Sequence, residues 1–168
     1  MLRERGLRVE QLKVHYPEVQ ADTLREVVVS ALDWLSPRYG DDLLVDDSGL
    51  FISSLRGFPG VYSSYVYRTI GCGGILKLVR GSEDREAVFE ARFGLLSGGK
   101  TLVFEGRCPG IISEEERGRG GFGFDPVFIP EGHSKTFAEM SLAEKNALSH
   151  RGRAVEELVR YLKEGGQA

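Results

Sequence analysis

Cysteine is scarce in this sequence. The two present, Cys72 and Cys108, have no metal-ligand spacing and do not form the dense framework of a small secreted domain. A reducing, cytoplasmic setting is therefore the expectation. Long hydrophobic runs are missing as well. None approaches the ~18 residues needed to span a bilayer, so no membrane partner is expected. The first ten residues, 1–10, carry charges where a secretion signal would be apolar. Nor is there an excess of positive charge. Lys plus Arg is 22 against 25 Asp plus Glu, for a net charge of −3, so nothing points to a nucleic acid as partner. A local basic cluster for a small anion stays open. Internal repeats and low-complexity linkers are absent too. What remains is an ordinary soluble composition, 41% hydrophobic and 28% charged, in 168 residues that suit a single domain over 1–168.

The hydrophobic pattern alternates between strand and helix periods. Residues 7–12 predict a short strand, because Leu7 and Val9 alternate with Arg8 and Glu10. Residues 21–35 predict a helix, with Leu24, Val27, Val28, Ala31, Leu32 and Leu35 at three- and four-residue spacing. Residues 43–45 form a short apolar strand, and 57–60 a turn around Pro59. A helical turn or two follows at 75–79. Residues 87–96 and 101–106 flank Ser97-Gly98-Gly99-Lys100 as an antiparallel hairpin. Another short strand is expected at 127–129. Ser141 with Glu144 reads as a capping box, and a helix over 149–163 ends at Gly165-Gly166. The mixture predicts an α/β or α+β fold.

Three segments carry groups suited to chemistry. Asp46-Asp47-Ser48-Gly49-Leu50 places two carboxylates at the exit of a buried strand. Adjacent carboxylates repel unless a cation or donors compensate, and such pairs at strand ends often hold Mg²⁺ bridging to phosphate. A plain Asx turn ending the strand is the competing reading. The second segment, R-G-R-G-G-F-G-F-D-P from Arg117, lets backbone approach a ligand. Phe122 and Phe124 offer flat faces for a base, Asp125 an acceptor, and Arg117 and Arg119 cations for phosphate. A flexible loop with its phenylalanines in the core explains the same letters. The third, Glu144 to Arg151, offers Lys145 as a point charge, Arg151 as a donor fork, and His150 as donor or acceptor. Capping and surface solvation are the plain alternatives. From the residues alone the reading stops at a Mg²⁺-dependent nucleotide site, with no reaction chosen.

The stretches V-D-D-S-G-L-F-I, G-F-P-G-V-Y-S-S-Y, G-G-F-G-F-D-P-V-F-I-P-E-G, K-T-F-A-E-M and E-K-N-A-L-S-H-R-G-R-A stand in one order across the chain. Together they resemble the inosine/xanthosine triphosphate pyrophosphatases, also called the Ham1-like family. Y-P-E-V-Q and V-Y-S-S-Y-V-Y-R-T-I resemble its archaeal branch. The resemblance implies an elongated, curved mixed sheet with two lobes around a central nucleotide cleft, usually in a homodimer. It implies Mg²⁺-dependent attack of water at the α-phosphate of ITP, dITP or XTP, giving the monophosphate and pyrophosphate.

Site residues follow from the same resemblance. Asp47 is expected to bind metal and activate water, with Glu18 as the second metal ligand. Ser48 is expected to contact substrate. Phe122, Gly123, Phe124 and Asp125 are expected to line the base site, with Phe124 where the family has tyrosine. Lys145 is expected near phosphate, and His150 with Arg151 near the 6-oxo base. The family also opens with a strand and a T/S-x-N-x-x-K phosphate loop, and no such motif stands in this sequence. The expectation is a chain that starts near the family's second strand and turns over weakly as given. A non-catalytic nucleotide-binding dimer is the alternative from a different class. Retention of Glu18, Asp47 and Lys145 favours the enzyme.

Overall fold

The computed structural model describes residues 2–17 and 19–165. Five strands form one sheet in the order β2-β1-β3-β4-β5. They are β1 (Leu43–Ile52), β2 (Pro59–Gly60), β3 (Glu86–Ser97), β4 (Lys100–Ile112) and β5 (Phe128–Pro130). Every pairing is antiparallel. The helices are α1 (Leu24–Tyr39), α2 (Ser63–Thr69), α3 (Gly71–Leu78), α4 (Leu142–Leu148) and α5 (His150–Lys163). The mixed α/β class expected from the sequence is the class observed.

Several predicted elements differ from the structure. Residues 7–12 form no strand. The Val9 carbonyl, which a ladder would have used, instead accepts bonds from Arg3 Nη2 at 2.8 Å and Nε at 3.2 Å. The strand expected at 43–45 runs on to Ile52, so Asp46-Asp47-Ser48-Gly49 lies inside it rather than in a turn. The cause is pairing: each residue from Leu43 to Ile52 has a partner on β3, and Leu50 and Ile52 are fully buried. Helix α1 also runs later than predicted. Its start is fixed by a reciprocal cap, in which Glu26 N–H donates to Thr23 Oγ1 and Thr23 N–H to Glu26 Oε2. The Ser141–Glu144 capping box and the helix after Ser149 stand as expected.

Register decides what each face of the sheet sees. Cross-strand partners point to the same side, and neighbours along a strand to opposite sides. Gly94 on β3 faces α1, where an added Cβ would stand 3.0 Å from Leu32 Cδ1. Ala91 and Phe93 cluster instead with Ala154, Val155, Leu158 and Val159 of α5. A second cluster, with Leu50, Ile52, Phe89, Phe128 and Phe137, lies farther along the same face. Helix α5 comes down hard on β4. A Cβ on Gly106 would stand 1.9 Å from the His150 carbonyl oxygen, so only glycine admits the helix's first turn there. That contact places His150 and Arg151 between the two clusters.

Candidate active site

The site grows from the glycine-rich loop that precedes β5. Thr136 Oγ1 donates to the Arg117 carbonyl at 2.8 Å, and Gly120 N–H donates to the Ala138 carbonyl at 3.0 Å. These bonds tie the loop's base to residues 136–138. At its tip the Phe122 N–H donates to Asp125 Oδ2 at 2.7 Å. Gly121 has φ of 73°, and a Cβ there would sit 2.0 Å from the same oxygen. The carboxylate therefore requires glycine at 121 to close the turn.

Asp125 Oδ2 also accepts from Lys145 Nζ, in the middle of α4. Both side chains are nearly closed to solvent, at 2% and 9% exposure. The ammonium lies 4.4 Å from the centroid of the Phe122 ring, and the Arg151 guanidinium carbon lies 5.3 Å from it. Phe122 itself is 61% exposed. Two cations thus lie over an aromatic ring that is largely exposed. Arg151 Nε donates to Asp46 Oδ2 at 3.0 Å, linking this cluster to β1.

His150 is buried, and its ring stacks on Phe89 with centroids 4.8 Å apart and planes 10° from parallel. Burial first, then the charges of Arg151 and Lys145, push its pKa down to about 3. The imidazole is neutral near pH 7 and offers one donor and one acceptor. Its Nδ1 is buried with no hydrogen-bond partner among the described residues.

The structure brings Phe122, Asp125, Lys145, His150 and Arg151 together. Ser48 shares their face of the sheet, because it pairs with Ala91. Phe124 is placed differently. It is 2% exposed and packs edge-on to Tyr67 in the core, leaving Phe122 as the exposed ring. Gly123 adopts φ of 60°, and its carbonyl accepts from Cys72 Sγ. Arg117 bonds the Ser134 carbonyl and approaches Glu139 at 3.6 Å, a structural use. Asp47 pairs with Arg92, which puts its side chain on the α1 face, opposite Asp46. Its Oδ1 accepts the Ser48 N–H at 2.8 Å. Glu18 lies outside the described residues. Asp46 is visible in the sequence only as half of a carboxylate pair; its contact with Arg151 is what reading the sequence missed. Period-two alternation through an unbroken strand would have separated the two aspartates and aimed the first toward α5.

For a divalent metal, the donor chemistry at Asp47 fits: a hard carboxylate oxygen on a half-buried strand. Among the described residues no group of three or more His, Cys, Asp or Glu is arranged to hold a metal. Mg²⁺ commonly takes one or two carboxylates and completes its shell with water and substrate phosphate, so one aspartate is compatible with it.

Fold and site together define an α/β protein in which two ion pairs, Lys145–Asp125 and Arg151–Asp46, gather around the exposed Phe122 ring. The chain belongs to the Ham1 family, which it matches over residues 1–161. It is 55% identical over 158 residues to the dITP/XTP pyrophosphatase of Pyrococcus horikoshii, covering 94% of this chain and 85% of that protein. It is likewise 55% identical to the dITP/XTP pyrophosphatase of Thermococcus kodakarensis, covering 95% and 86% of the two chains. Among solved structures, the Ham1 protein of Staphylococcus aureus superposes with a TM-score of 0.84 at 27% identity, over 91% of this chain and 82% of that one.

Proposed function

We propose that this protein hydrolyses non-standard purine nucleoside triphosphates, ITP, dITP and XTP, to the monophosphate and pyrophosphate. The observation that supports this most is the cluster on Phe122. An exposed ring offers a stacking face for a base, and alanine substitution at such faces costs about 1–3 kcal/mol per base. Arg151 beside it supplies donors that suit the O6 acceptor of a 6-oxo purine. Adenine presents a donor at that position, so the same groups would be left unpaired at about 1–3 kcal/mol each, or roughly 5- to 150-fold in discrimination. Buried, neutral His150 fits base recognition better than proton transfer, because its charged form is disfavoured near pH 7.

Lys145, its ammonium held by Asp125 and lying over the Phe122 ring, would approach the phosphate, and Ser48 lies on the same face of the sheet. Asp47, with Glu18, would hold Mg²⁺, which when bound neutralises phosphate charge and favours attack by water. Asp47 projects from the other face of β1, beyond the Leu50–Phe51 stretch that β2 covers, so as a carboxylate base it would orient that water where the phosphates pass the edge of the strand. The names of the archaeal relatives, dITP/XTP pyrophosphatases, support dITP and XTP among these substrates. We further propose one domain, a homodimer, and work in the cytoplasm. No helix among the described residues is long and apolar enough to cross a membrane. Product analysis tests the reaction. With ITP and Mg²⁺, IMP and pyrophosphate are expected in equal amounts; IDP with inorganic phosphate would overturn the assignment.

A further inference from the structure

We propose that Asp46 is the positioning residue that sets purine specificity through Arg151. The inference rests on the nucleotide reading of the cleft and adds to it a group that does not itself need to touch the substrate.

The geometry points there in three steps. Alternation along β1 turns Asp46 toward α5 and Asp47 away from it, so the two adjacent carboxylates serve different sides of the sheet. Arg151 is the second residue of α5, whose first turn is pinned on Gly106, so its Cα has little freedom. The remaining freedom is in the long side chain, and two contacts restrain it. Asp46 Oδ2 accepts from Nε at 3.0 Å, and the Phe122 ring lies 5.3 Å from the guanidinium carbon. Because the carboxylate engages Nε, the terminal nitrogens take no part in that bond. Those nitrogens are the fork that matches the adjacent O6 and N7 acceptors of a 6-oxo purine. An arginine held in this way loses less freedom when it meets the base.

The pair has little claim to a stabilising role. Its side chains are 30% and 40% exposed, and ion pairs so open to water contribute little to folding. A carboxylate fixed beside a base-reading arginine instead acts on orientation. Removing its charge should release Arg151 while leaving the fold and the Asp47 face intact.

The test uses Asp46→Asn, Asp46→Glu, Arg151→Ala and the double variant Asp46→Asn/Arg151→Ala in the full chain. Two quantities are read: kcat/KM for ITP against ATP, and equilibrium binding of IMP against AMP, which needs no turnover. Asp46→Asn should lower the ITP-to-ATP and IMP-to-AMP ratios by at least ~5-fold, one unpaired donor's worth. Asp46→Glu should restore part of the loss. The double variant should be no less selective than Arg151→Ala alone, since both changes remove one interaction. In nitrogen-15 spectra the Arg151 Nε–H signal, assigned by its loss in Arg151→Ala, should shift in Asp46→Asn. Equal losses for ITP and ATP would overturn the proposal and place Asp46 with the phosphates or metal. Unchanged ratios would overturn it too. If the unaltered protein releases no pyrophosphate yet favours IMP over AMP, the hydrolase reading fails, and the binding ratio of Asp46→Asn still decides the role of Asp46.

Discussion

Replacing Lys145 with methionine should destabilise the protein far more than loss of a surface lysine. The substitution nearly keeps the volume of the side chain, so the effect isolates charge. In the folded chain the ammonium faces a carboxylate that is 2% exposed and otherwise accepts a single backbone N–H, from Phe122. Without the lysine, Asp125 is a buried anion with one hydrogen bond. Breaking such a pair from one side costs about 3–5 kcal/mol, against about 0–1 kcal/mol for an exposed pair. For a chain of 150–250 residues, 1 kcal/mol moves Tm by roughly 2–4 °C, so a drop of roughly 6–20 °C is expected. Asp125→Asn should fall in the same direction, since its amide can still accept from Phe122 but leaves Lys145 buried without a counter-charge. The double variant Lys145→Met/Asp125→Asn should be more stable than the sum of the two changes implies, because both charges are gone. Thermal and urea melts of the four proteins give the coupling directly. A Lys145→Met cost below about 1 kcal/mol, with additive behaviour, would refute the reasoning and make the pair a solvated one.

Further predictions concern single groups. Asp47→Asn should reduce pyrophosphate release at least ~10²-fold while its melting curve stays close to the original; near-normal turnover would move the catalytic role elsewhere. Gly106→Ala should fail to fold or lose several degrees of Tm, because the added methyl meets the His150 carbonyl at 1.9 Å; an unchanged Tm would show that α5 rides higher on the sheet. His150 should make the protein less stable as the pH drops. Its folded pKa lies near 3 and its unfolded value near 6.5, so between those limits the unfolded chain binds the extra proton. That costs up to about 1.4 kcal/mol per pH unit, and the loss begins as pH falls below 6.5. Urea midpoints measured from pH 7 to pH 4 should show a steeper fall for the original chain than for His150→Asn; parallel slopes would mean that His150 is already charged in the fold.

Much of the fold could be read from local pattern. The hairpin of β3 and β4 declared itself through alternation around Ser97-Gly98-Gly99-Lys100, and α5 through its apolar stripe of Val155, Leu158 and Val159. What the pattern could not show was pairing. The run at 7–12 alternates like a strand, yet Arg3 takes its Val9 carbonyl and no strand forms. The aspartate pair resembles a turn in isolation, and only ten paired positions on β3 reveal that it sits inside β1. The cleft residues were legible by motif as a set, but not by role. Phe122 and Phe124 are indistinguishable in the sequence, two residues apart in a glycine-rich loop. The second joins the core cluster and is 2% exposed, while the first is left 61% exposed. The link from Asp46 to Arg151 spans 105 residues, and no local signal encodes it.

The central claim is that the cluster on Phe122 selects 6-oxo purines for hydrolysis. The most direct measurement is kcat/KM for ITP, XTP and ATP at saturating Mg²⁺, in the original chain and in Arg151→Ala. The account predicts that the original chain favours ITP and XTP over ATP by at least ~5-fold, and that Arg151→Ala loses most of that preference by weakening the 6-oxo substrates. Equal rates on ATP, or an Arg151→Ala variant that loses all three substrates in equal proportion, would contradict it.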